Sequence, residues 1–125
     1  MTKNDYITSW HDLFVQNVNC ALGFIAGKMV SKDLSQECRE KLSIAKAFLE
    51  GKDVCDVERD LAHLTINDET FEKTERIYIE IIDFFIDMTI KDEETKQVMK
   101  NLARMFEHYR KEATRLHLNY FSAQQ

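Results

Sequence analysis

The chain has 125 residues, 44% of them hydrophobic and 31% charged, which is one domain's worth of globular composition and excludes a disordered polymer. Its formal net charge of −5 disfavours general nucleic-acid binding, because phosphate contact needs concentrated Lys and Arg. With no proline and three glycines, the expected fold is all-α: a compact bundle of about five helices in a single domain, residues 1–125.

The first predicted helix runs from about Asn4 to Gly27. Trp10, Leu13, Phe14, Val18, Ala21, Leu22 and Ile25 recur along it at three- and four-residue spacing. Thr2 followed by Asp5 is positioned to cap its start. Gly23 and Gly27 form a Gly-x-x-x-Gly pair, which in a bundle suggests close helix packing. The second helix is expected from about Asp33 to Glu50, with Leu34, Cys38, Leu42, Ala45 and Leu49 on one face and Gly51 as the terminating glycine. The third is short, about Val54 to Leu64, behind an Asp53 cap.

The fourth is expected from about Asp68 to Ile90 and the fifth from Glu93 to Tyr120, behind Asp92. Short connections predict that these two pack as a long antiparallel hairpin. In helical projection Glu69, Glu72, Glu80, Asp83 and Asp87 share an arc of roughly 80°. Ile79 and Ile86 flank that arc, while Tyr78, Ile82 and Phe85 point the other way. Residues 53–90 hold eleven acids against three bases, half of the chain's 22 acids. This ridge is either a solvated face or a docking surface for a basic partner. An acidic edge flanked by isoleucines combines steering with burial, which interfaces need together. The candidate partner-binding residues are therefore Glu69, Glu72, Ile79, Glu80, Asp83, Ile86 and Asp87. On the fifth helix Lys96, Lys100, Arg104, His108, Lys111 and Arg115 share the opposite kind of arc, read as a solvated polar face.

No catalytic residue, metal site or cofactor is assigned. The cysteines, Cys20, Cys38 and Cys55, are odd in number and scattered, and read as buried apolar residues in a reducing compartment. The one Asp60-Leu61-Ala62-His63 stretch lacks the second copy that a bundle metal site needs. The chain has no glycine-rich phosphate loop and no Gly-x-Ser-x-Gly elbow. The most apolar stretch, Ile77 to Ile90, is too short for a membrane span and carries Glu80, Asp83 and Asp87. The N-terminus lacks a secretory pattern, so a cytoplasmic location is expected.

In length, acidity and the want of a catalytic motif, the chain resembles the small, acidic, all-helical immunity proteins that bacteria pair with nuclease toxins, including those of contact-dependent growth inhibition systems. The resemblance implies a non-enzymatic inhibitor whose acidic ridge covers the basic cleft of a cognate toxin, with carboxylates in place of phosphates. An alternative is a cytoplasmic secretion chaperone or adaptor that takes an apolar helical segment into a groove. Arg110 and His117 are spaced as Arg-x6-His, which resembles the ribonuclease motif of the helical HEPN family and implies RNA cleavage instead.

Overall fold

The computed structural model describes residues 2–52, 59 and 68–124. Among them lie four helices and no strand: α1 (Lys3–Met29), α2 (Gln36–Glu50), α3 (Asp68–Ile86) and α4 (Glu93–Gln124). Five helices are expected from the sequence. The short one, Val54 to Leu64, lies outside the described residues apart from Arg59.

The start of α1 is a capping box. The Thr2 hydroxyl accepts from the Asp5 backbone N–H at 3.1 Å, and the Asp5 carboxylate accepts from the Thr2 N–H at 3.1 Å. Tyr6, Trp10, Phe14, Ala21 and Ile25 are buried on one face. The same face carries Asn17, fully buried although it is polar. Among the described residues Gly23 and Gly27 do not mediate close packing: a Cβ at either would meet nothing within 4 Å.

α2 begins at Gln36, three residues later than the expected Asp33. The reason is Ser35, whose hydroxyl accepts from the Cys38 N–H at 3.1 Å and so sets the first turn. Arg39 ties the preceding turn down by donating to the carbonyls of Met29 at 3.1 Å and Ser31 at 2.6 Å. Leu34, Cys38, Leu42, Ala45 and Leu49 are all buried. Gly51 sits at the C-cap, but with φ of −81° it is right-handed, so its place does not depend on glycine's left-handed freedom.

α3 stops at Ile86, not at the expected Ile90. The cause lies in another helix. The Glu37 carboxylate of α2 accepts from the backbone N–H groups of Lys91 and Asp92, each at 2.9 Å, and Met88 and Ile90 pack against the core. The chain therefore leaves the helix to reach these anchors. Thr74, Tyr78, Ile81, Ile82 and Phe85 form the buried side of α3.

α4 is the longest element at 32 residues, about 48 Å at 1.5 Å per residue. It packs most extensively on α3 and next on α1. Phe71 meets His117, Glu75 meets Arg110 and Phe85 meets Phe106, so contacts step down α4 as they step up α3. Val98, Met99, Leu102, Ala103, Phe106 and Ala113 are its buried apolar residues. Phe48 of α2 stacks on Phe84 of α3 with ring centroids 3.8 Å apart. Cys38 is buried, as expected, whereas Cys20 is exposed, its Sγ 3.8 Å from the Tyr109 hydroxyl. Cys55 lies outside the described residues. No helix among the described residues is long and apolar enough to cross a membrane.

Candidate partner-binding surface

α3 positions most of the residues expected to bind a partner. Its inner side is held by Tyr78, Ile81 and Phe85, and the helical period then forces Glu72, Ile79, Glu80, Asp83 and Ile86 outward. All five are exposed. The side chain of Glu69 is outside the described set. Asp87 is exposed too, but it lies one residue past the helix end, where its N–H donates to the Asp83 carbonyl at 2.8 Å.

Two features of this edge bear on docking. Ile79 is 39% exposed and Ile86 is 63% exposed, side by side with the acids. Glu72, Glu80, Asp83 and Asp87 form no ion pair with any described residue. Apolar area and unpaired negative charge are thus offered together. The edge is not purely acidic, because Lys73 and Arg76 are exposed near its N-terminal end. The concentrated part is the C-terminal half, from Ile79 to Asp87.

α3 is less enclosed than its apolar content suggests. Ile81 takes a fully buried place, while Ile79, two positions earlier, faces out. Phe14 of α1, Phe48 of α2 and Phe106 of α4 touch α3 through Tyr78, Phe84 and Phe85, while Ile79 and Ile86 stay exposed beside the acids.

The Arg110 and His117 pair sits elsewhere. Arg110 donates through Nε to Glu107 at 3.0 Å and through a terminal nitrogen at 2.5 Å, and it lies 3.6 Å from Glu75. The guanidinium holds the Glu107 carboxyl below its usual range, first through this hydrogen bonding and further through its charge. His117 is 4% exposed and is packed between the rings of Phe71, at 4.3 Å, and Phe121, at 4.5 Å. Its Nδ1 is 3.4 Å from the hydroxyl of buried Tyr6. Each residue therefore has its own set of partners, Arg110 in an ion-pair cluster and His117 in an aromatic one.

Among the described residues no group of three His, Cys, Asp or Glu side chains is placed to hold a metal ion. Sequence reasoning missed Glu37, whose carboxylate fixes the turn that follows the acidic edge. Its only signal was a lone acid in the first turn of α2, which reads equally as a dipole partner. No protein-family model, curated protein or solved structure matches the chain.

Proposed function

We propose that this chain is a protein-binding inhibitor of the immunity type, which docks the outer edge of α3 onto a basic partner, a nuclease-type toxin, and covers its active site. The observation that carries this reading is the exposure of Ile79 and Ile86 beside the unpaired carboxylates of Glu80, Asp83 and Asp87. The carboxylates steer a basic surface into place, and the isoleucines supply apolar area to bury once it arrives. The protein acts without catalysis, as one helical domain in the cytoplasm, with α3 and α4 as an antiparallel hairpin.

The test is a comparison of the native chain with a Glu80→Lys, Asp83→Lys, Asp87→Lys triple variant. Both are used to capture partners from the native host, and the partner identified is then titrated. The expected partner is basic, the triple variant stays helical, and its affinity falls by about two orders of magnitude or more, as like charges meet across the interface. For the native chain, association should slow as salt rises. Unchanged affinity in a folded triple variant would show that the contact lies elsewhere.

A further inference from the structure

Past the end of α3 the surface folds inward. Phe85, Ile86, Met88, Ile90 and Ala103 line a concavity of about 470 Å³ between the α3–α4 turn and the first half of α4. The volume lies within the range of small-molecule sites, roughly 300–1,000 Å³. Its rim carries Lys96, Lys100 and Arg104 from α4. These recur at four-residue spacing, so they stand in a row along one side of the helix, about 6 Å apart. Lys96 is paired with Glu93 at 3.3 Å, but Lys100 and Arg104 are exposed and form no ion pair with any described residue.

The floor is also held in shape. Ile90 and Met88 belong to the turn that Glu37 pins through the Lys91 and Asp92 N–H groups. Phe85 is 2% exposed and rests on Phe106. The concavity therefore does not need a ligand to form it, and a pre-formed site spends less binding free energy on ordering.

We propose that this concavity binds a small anionic amphiphile, a free medium-chain carboxylic acid, with its alkyl body on Ile86, Met88 and Ile90 and its carboxylate at Lys100 and Arg104. Charge complementarity selects this occupant. A neutral apolar molecule would gain nothing from the two hydrated cations, and a cationic one would be repelled. The site goes beyond the partner-binding edge of α3 and shares only Ile86 with it.

Decanoate and 1-decanol are the probes, titrated calorimetrically below the concentrations at which they aggregate. The native chain should bind decanoate saturably at one site, and more weakly as salt rises. A Lys100→Glu, Arg104→Glu variant keeps the exposed positions polar and should fold. Its decanoate affinity should fall about tenfold or more, while its affinity for 1-decanol stays within about twofold. Ile86→Ser removes part of the apolar wall from a position that is already exposed, and should weaken both probes alike. The proposal is overturned by the absence of saturable decanoate binding to the native chain, or by equal decanoate affinity in the charge-reversed variant. It is also overturned if an acidic amphipathic helical peptide binds at Lys100 and Arg104 and decanoate does not, which would make the concavity a peptide groove.

Discussion

The hydroxyl of Ser35, which caps α2, donates a hydrogen bond to the carboxylate of Asp92, which caps α4. The other Asp92 oxygen accepts from the backbone N–H groups of Glu94, at 2.9 Å, and Thr95, at 3.3 Å. The two helix N-termini thus share one polar junction, which Glu37 completes from α2. Removing Ser35 strips a cap from α2 and one hydrogen bond from the cap of α4. Ser35→Ala is expected to cost about 1–2 kcal/mol in denaturant melts. Combined with Asp92→Ala, the loss should be smaller than the sum of the two single losses, because each change removes the same contact. Strict additivity would show that the two caps work independently.

The same junction predicts a pH dependence. Hydrogen bonds from Ser35 and then Thr95 hold the Asp92 carboxyl below its ordinary range. As pH falls the unfolded chain takes up this proton first, at about 3.9. The stabilisation is therefore whole above that value and is lost as pH falls through the lower value of the folded state. The stability advantage of the native chain over Asp92→Asn should be constant near neutrality and should shrink below about pH 4. A difference that grows on acidification would contradict the assignment.

Phe85 is 2% exposed and touches Phe84 and Phe106, so it links α3 to α4 at the point where α3 ends. Phe85→Ala should destabilise by about 3–5 kcal/mol, the range for truncating a buried phenylalanine. A stability loss of less than about 1 kcal/mol in denaturant melts would mean that the site collapses around the missing ring.

Asn17 is fully buried, and neither its amide oxygen nor its amide nitrogen has a hydrogen-bond partner among the described residues. Burying an amide without partners is costly, so Asn17→Leu should raise stability by about 1–2 kcal/mol. The substitution is read as a shift of the denaturant midpoint to higher concentration. A lower midpoint would show that the amide is satisfied in solution.

The cysteines should differ in reactivity. Cys20 is exposed, while Cys38 is buried, and burial pushes its thiol pKa up. In a Cys55→Ser background, iodoacetamide should alkylate Cys20 in the folded protein and leave Cys38 unmodified until denaturant is added. Mass mapping of the labelled peptides gives the answer, and equal labelling of both in the folded state would contradict the packing of α2.

Much of the local structure was legible in the residues. The Thr2 and Asp5 box, the apolar face from Leu34 to Leu49 and the burial of Trp10, Tyr78 and Phe85 all follow from side chains acting on their own helix or from its period. The acidic edge was legible in the same way, because Glu72, Glu80 and Asp83 lie on one angular sector whatever surrounds it. Tertiary structure decided the rest. Beyond Ile86 the chain turns toward α2, where the Glu37 carboxylate accepts from the Lys91 and Asp92 N–H groups, a contact between residues 54 and 55 positions apart in the chain. Asn17 shares the angular sector of Phe14 and Ala21, but that this sector is fully closed over a polar amide is set by the helices packed against it. The basic face of α4 becomes the rim of a concavity only because Met88 and Ile90 are folded beneath it. Periodicity reports the angle of a residue around its own helix. Burial, helix ends and concave shape depend on which neighbours occupy the space alongside, and that is set by packing between segments far apart in sequence.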